Sequence, residues 1–161
     1  MVDIQTISIV LASASVIAGV VYYAFQLRHQ NKVRNTDLVI RLASDFKSRE
    51  FLGAFMDIYG AEFKDYDDFV KKYGPLFSKN QVPLSLLMVG NFFEQLGTLL
   101  KRRLIDADLI SQLVPVSLAW KKMEPLVQGI RKEYQSQTYE WFEYLYKEMK
   151  KREQKLQQSK A

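Results

Sequence analysis

Glu94 is the side chain whose surroundings most suggest acid–base chemistry. It lies in segment 91–97, within a predicted helix over residues 84–100 that is apolar almost all round and therefore suits the centre of a helical bundle. A buried carboxylate is costly unless it is paired. We therefore expect Arg41 or Arg131 to pair with Glu94. This structural ion pair is favoured over a catalytic acid, because no second carboxylate accompanies Glu94 at a fixed helical spacing.

Other familiar catalytic and metal-binding patterns are missing from the sequence. The chain has a single histidine, His29, and no cysteine, which removes two-histidine metal sites, thiolate ligands and histidine-activated nucleophiles. The acidic segment 65–68 lacks the glycine and the closing glutamate of a calcium-binding EF-hand, so we interpret it as a solvated face. We predict no catalytic residue, no cofactor and no metal ligand, and hence a protein that is not an enzyme.

Two further patterns admit a functional interpretation, but packing is favoured for each. Gly90 and Gly97 share one helical face, which suits close helix packing better than a phosphate-binding loop. The aromatic residues of segment 139–146 could stack nucleic-acid bases, yet their helical spacing favours core packing. A net charge of +5 is a modest excess, so we expect no nucleic-acid partner.

The elements that carry these residues begin with an apolar N-terminal run. Residues 4–27 include no charged side chain, and a helix over them would be about 36 Å long, enough to cross a hydrocarbon core of about 30 Å. Asp3 precedes the run and a basic cluster follows it, which favours an uncleaved anchor over a signal peptide or a buried core helix. The positive-inside rule predicts an N-terminus outside and residues 28–161 in the cytoplasm. The basic residues expected at the membrane surface are Arg28, Lys32 and Arg34.

A stripe of small residues runs along this apolar segment. Its members, spaced four, three and four residues apart, are Ser8, Ala12, Ser15 and Gly19. Such a stripe lets helix backbones approach closely in lipid, so it predicts a homo-oligomer, with coincidence as the alternative.

The rest of the chain predicts an all-α fold. Glycine and proline are scarce, at 7 and 4, whereas good helix formers are plentiful. We divide the chain into a transmembrane anchor at 1–30, a cytoplasmic helical bundle at 31–150 and a charged tail at 151–161 that frays.

The predicted helices of the bundle follow from caps and breakers. The first helix continues to about residue 49, two shorter ones cover 51–59 and 65–73, and Asp106 caps a third short one that ends near 115. A helix from Val116 ends near Pro125, and the last helix begins either there or after Gln135. The apolar face predicted for the last helix consists of Tyr134, Thr138, Trp141, Phe142, Leu145 and Met149.

These features together resemble a known family. They are the N-terminal span, the long helix that follows it, segment 91–97, and then Trp120, Pro125 and Arg131. The chain resembles an uncharacterised prokaryotic family of short, membrane-anchored helical proteins, a domain of unknown function. The resemblance implies a bacterial or archaeal inner membrane and a helical cytoplasmic domain. It also implies that Glu94, Trp120 and Arg131 define the fold, and it supplies no activity.

The leading functional hypothesis is a non-enzymatic, homo-oligomeric, membrane-anchored module that binds a partner protein or scaffolds a complex. Its partners would be the lipid bilayer, further copies of itself and an unknown protein. The alternative is a small pore or ion channel lined by the N-terminal helix, with a ring formed by Arg28 and Lys32 at its inner mouth. An enzyme that acts through carboxylates alone is disfavoured, because no acid pair is fixed by spacing.

Overall fold

A computed structural model gives the fold of residues 3–158, without the side chains of residues 5–7, 9, 10, 31, 32 and 34–36. These residues form seven α-helices, and no strand occurs among them. The prediction of an all-α protein is therefore confirmed. The helices are α1 (Ile4–Lys47), α2 (Arg49–Gly60), α3 (Tyr66–Tyr73), α4 (Gln81–Lys101), α5 (Ala107–Leu113), α6 (Val116–Tyr134) and α7 (Glu140–Gln158).

The chain divides into two compact units. Unit 1 is Met1–Arg41 and unit 2 is Leu42–Ala161, so the boundary falls within α1. The prediction that the first helix continues far beyond the apolar run is confirmed, since α1 ends only at Lys47.

Local hydrogen bonds set the starts of three helices in unit 2. The hydroxyl of Ser48 accepts from the Phe51 amide at 3.1 Å before α2, and the carboxylate of Asp65 accepts from the Asp68 amide at 2.8 Å before α3. The predicted cap Asp106 is confirmed, because its carboxylate accepts from the Leu109 amide at 2.8 Å. Each cap satisfies one of the amides that the first turn of a helix leaves without a partner.

The core of unit 2 lies between α4, α6 and α7, with α2 packed on α4 and α3 packed on α6. A proline inside a helix costs about 3 kcal/mol, yet Pro125 lies within α6. The prediction that this helix ends at Pro125 is wrong. Apolar residues on both sides of Pro125, from Met123 to Ile130, are at most 1% exposed, and their burial outweighs the lost hydrogen bond.

The last helix, α7, begins at Glu140 and continues to Gln158. This agrees with the second of the two predicted starts, the one after Gln135. The predicted apolar face of α7 is only partly right. Phe142, Leu145 and Met149 are buried, but Tyr134 belongs to α6 and is 40% exposed. The left-handed conformation of Gln135, with φ of 46°, ends α6 directly after Tyr134 and so separates this residue from α7.

Candidate functional site

The most closely packed contact in unit 2 is one face of α4 against the start of α7. Gly90, Glu94 and Gly97 follow each other at four and three residues, so they share this face. A Cβ atom at Gly90 would lie 2.5 Å from the ring of Tyr139, and one at Gly97 would collide with the backbone carbonyl of Trp141. Both glycines are required by close helix approach, which confirms the packing interpretation over the phosphate loop.

Glu94 binds the start of α7 and not an arginine. Its Oε2 accepts a hydrogen bond from the backbone amide of Phe142 at 2.8 Å, in the first turn of α7. That amide has no partner within its own helix, and the helix dipole favours a negative charge there. Glu94 is half-buried. The predicted arginine partner is wrong, because a helix terminus supplies the compensating dipole.

The two arginines proposed for Glu94 pair elsewhere. Arg41 donates to Asp37 at 2.9 Å within α1. Arg131 donates from Nη1 to Glu143 at 2.6 Å and from Nε to the carbonyl of Thr138 at 2.9 Å. Arg131 is half-buried. Its two bonds connect the end of α6 to the loop that follows and to the first turn of α7.

Glu143 is shared between two cations. Lys147 reaches its other oxygen at 2.5 Å, one turn further along α7. The hydrogen bond from Lys147, and next that from Arg131, holds the pKa of Glu143 below its ordinary value. The arrangement keeps this carboxylate ionised and fixed in place, which suits structure better than proton transfer.

Two buried aromatic residues, Trp120 and Tyr139, pack where α4, α6 and the start of α7 meet, and we call this meeting point the junction. Trp120 is 1% exposed, and its ring packs edge-on against Phe142 at 5.0 Å and stacks on Tyr146 at 5.8 Å. Tyr139 is 3% exposed, and burial, together with the nearby charge of Glu94, raises its pKa to about 12. Tyr139 therefore stays neutral near neutral pH.

A partly exposed surface lies next to this junction, and sequence reasoning missed it. The ammonium of Lys101, at the end of α4, lies 5.8 Å from the ring centre of Trp141 and 5.1 Å from that of Tyr144. Both rings are half-buried. One feature of the sequence could have indicated it: Lys101 follows Gly97 by one helical turn, so the two residues share a helix face. Because Gly97 lets the backbone of Trp141 approach this face, Lys101 comes close to the ring of Trp141.

A groove of about 380 Å³ runs between α2 and α4. Asp57 lines this groove. The Oδ2 atom of Asp57 accepts hydrogen bonds from the Ser85 hydroxyl at 2.8 Å and from the side-chain amide of Gln81 at 3.0 Å. Among the described residues, no group of three or more histidine, aspartate or glutamate side chains is placed to hold a metal ion.

The residues predicted at the membrane lie in unit 1. Ser8 and Ser15 donate their hydroxyls to the carbonyls of Ile4 and Leu11 at 3.0 and 2.9 Å. These serines, Ala12, Gly19 and Arg28 are all exposed, and a Cβ atom at Gly19 would meet nothing within 4 Å. The side chains of Lys32 and Arg34 lie outside what the structure describes.

One helix within residues 3–158 is long and apolar enough to cross a membrane. The segment that meets both conditions is Leu11–Gln30, with a mean hydropathy of 1.2 and no side chain buried. This confirms an N-terminal membrane candidate. A signal sequence near an N-terminus satisfies the same two conditions.

Fold and junction together define a helical protein with an apolar N-terminal helix and a well-packed bundle. The chain belongs to a family described as a domain of unknown function, DUF4760, whose sequence model matches residues 11–149. The expected membership of an uncharacterised family is thereby confirmed. No curated protein and no solved structure matches the chain.

Proposed function

We propose that this chain is a non-enzymatic, membrane-anchored module. In this proposal α1 holds the protein in a prokaryotic inner membrane as a homo-oligomer, with the N-terminus outside, and unit 2 binds a partner protein in the cytoplasm.

The observation that carries the proposal is the exposure of the apolar segment Leu11–Gln30. Its residues Val16, Ile17 and Val20 are 67%, 64% and 65% exposed. Leaving each such side chain in water forgoes about 1.5–3 kcal/mol of burial energy, which a lipid bilayer supplies along the whole segment. Tyr22 and Tyr23 lie within the last six residues of the uncharged run 4–27, where such aromatic residues suit the membrane interface.

Charge around the segment supports the proposed orientation. Asp3 precedes it, and Arg28, Lys32 and Arg34 lie at its end or just beyond it. Basic residues near the end of a span favour the cytoplasmic side.

The state of the carboxylates supports binding over catalysis. Glu94 is used by the start of α7, and Glu143 is used by Arg131 and Lys147. A general acid or base needs a carboxylate that is free to exchange its proton with a substrate, and these two are held in structural bonds.

The stripe of small residues supports self-association. The hydroxyls of Ser8 and Ser15 are bonded to carbonyls of their own helix, and Gly19 leaves the backbone open. Another copy of the helix can therefore approach closely along this line. A pore formed by several copies is the second form that such an oligomer could take, and conductance in bilayers distinguishes it.

The proposal is tested by single cysteines in a chain that has none of its own. Cysteines replace Ser8, Ala12, Ser15 and Gly19 in turn, with Ile17→Cys and Val21→Cys on the other face as controls, and native membranes are oxidised. We expect cross-links along the stripe and none at the two controls.

Four outcomes would each overturn part of the proposal. Equal cross-linking at stripe and control positions, or none at all, would reject the oligomer along the stripe. Release of the chain by alkaline carbonate, or a measured mass that lacks the N-terminal segment, would reject the anchor in favour of a signal sequence.

A further inference from the structure

A basic and aromatic surface on unit 2 has no role in the proposed anchor or in the core. We define it by five residues on α4 and α7: Lys101, Trp141, Tyr144, Glu148 and Lys151. We propose that this basic–aromatic surface docks unit 2 on anionic lipid headgroups, an inference that rests on the proposed membrane anchoring.

Contacts hold the surface together. The ammonium of Lys101 lies over the rings of Trp141 and Tyr144, and Lys151 pairs with Glu148 at 2.7 Å. Trp141, Tyr144, Glu148 and Lys151 follow each other at spacings of three, four and three residues, so they form one stripe along α7. The close packing at Gly97 fixes Trp141, and with it the aromatic part of the surface.

Positive charge prevails around this stripe. Arg102 and Arg103 directly follow Lys101, and Lys155 follows Lys151 by one helical turn. All three side chains are exposed, and none lies within ion-pairing distance of a carboxylate among the described residues. Glu148 is the acidic member of the stripe, and Lys151 already neutralises it.

Lipid headgroups fit this chemistry better than an acidic protein does. Tryptophan and tyrosine, each with an apolar ring and a polar tip, favour the headgroup level of a bilayer, and lysine and arginine attract anionic lipids. A chain anchored through α1 also keeps unit 2 at a high effective concentration of lipid, so weak docking suffices.

The test uses the two tryptophans of the full chain as separate reporters. Trp120→Phe leaves Trp141 on the proposed surface, and Trp141→Phe leaves Trp120 in the core. Each variant is reconstituted in nanodiscs of phosphatidylcholine, or of equal parts phosphatidylcholine and phosphatidylglycerol, with a nitroxide-labelled headgroup as quencher. We expect quenching of Trp141 in the anionic discs, less in neutral discs or high salt, and none of Trp120 in either.

A charge variant checks the cause. Lys101→Gln, Lys151→Gln and Lys155→Gln combined should weaken docking about five-fold for each residue removed. A matched control removes three exposed lysines elsewhere, Lys71, Lys79 and Lys132, and should leave the quenching of Trp141 unchanged.

Several outcomes would overturn the inference. These are absence of quenching at Trp141 in anionic discs, equal quenching in both kinds of disc, or equal effects of the two lysine sets. Protection of Trp141 by an added acidic protein but not by lipid would assign the surface to a protein partner. If carbonate extracts the chain but phosphatidylglycerol vesicles still quench Trp141, the proposed anchoring by α1 is rejected and lipid docking by the basic–aromatic surface is retained.

Discussion

Leu11–Gln30 of α1 and the whole of α4 are apolar helical segments of similar length, 20 and 21 residues, in opposite surroundings. Within α4, Leu86 and Phe93 are fully buried. Within Leu11–Gln30, no side chain is buried. Apolar composition therefore indicates that a helix needs an apolar environment, and does not say whether other helices or lipid provide it.

The two segments differ in how their small and polar residues are used. In α4, Gly90 and Gly97 receive Tyr139 and the backbone of Trp141, and Glu94 binds an amide of α7. In α1, Gly19 meets nothing, and the serine hydroxyls bond to their own helix. Helix α4 is thus matched to the fixed shapes of its neighbours α2 and α7, whereas the exposed surface of α1 suits a medium without fixed shape.

The largest effect is expected from charges in the apolar segment. Val16→Arg with Val20→Arg should release the chain from membranes, because each arginine costs about 3 kcal/mol at the centre of a span. Alkaline carbonate extraction measures this release. Leu84→Arg, at a 52% exposed position of α4, is the matched control and should leave retention unchanged. Full retention of the double variant would contradict the contrast between the two segments.

Close packing at Gly97 is tested by adding one methyl group. Gly97→Ala should lower the free energy of unfolding by about 3 kcal/mol, because the new Cβ collides with backbone that cannot move alone. Gly53→Ala in α2 is the control, since a Cβ there meets nothing within 4 Å. It should raise stability by up to about 1 kcal/mol through helix propensity. Urea unfolding measures both, and equal effects would show that α4 does not require the glycine.

The bond from Glu94 to α7 should contribute less. Glu94→Ala is expected to cost about 2 kcal/mol, because a charged acceptor and its interaction with the helix terminus are both lost. Glu94→Gln keeps an acceptor of similar shape and should recover about half of that loss. The comparison uses thermal and urea unfolding of the two variants. A glutamine variant as unstable as the alanine variant would place the whole effect on charge.

The smallest effect near neutral pH is expected at Tyr139. Its pKa in the folded chain is about 12, against 10.0 for the ordinary side chain. The unfolded chain therefore loses this proton first as pH rises, so stability is fully present below pH 10 and falls between about 10 and 12 by about 2 kcal/mol. Tyr139→Phe should change the free energy of unfolding little below pH 10. Above pH 10 the variant should lose less stability than the unchanged chain. Urea unfolding across this range measures the difference, and parallel curves would contradict the assignment.

Much of the local structure of unit 2 could be predicted from neighbouring residues. Asp106 caps its helix as expected, because a cap depends on an amide three residues away. Gly90 and Gly97 were recognised as packing residues from their spacing on one face. The helix through Pro125 was missed, because the burial that stabilises α6 comes from α3 and α7 and not from its own sequence.

The candidate surface was harder to predict than the helices. Trp141 and Tyr144 belong to an aromatic run that was assigned to the core, and Tyr139 and Phe142 from the same run are indeed buried. Which members face outward depends on the start of α7, and that start is set by the left-handed turn at Gln135 and by Tyr139, with φ of 46° and 61°. Lys101 joins them only because α4 and α7 pack closely.

The sequence by itself determined the helical class, the apolar N-terminal helix, the family and the capped starts of the short helices. These depend on composition and on residues within a turn or two of each other. Only the tertiary structure decided that Glu94 binds the start of α7, that Arg131 pairs with Glu143, and that Lys101 lies over Trp141. Each of these contacts joins two helices, and the choice among several possible partners is made by how the whole core packs.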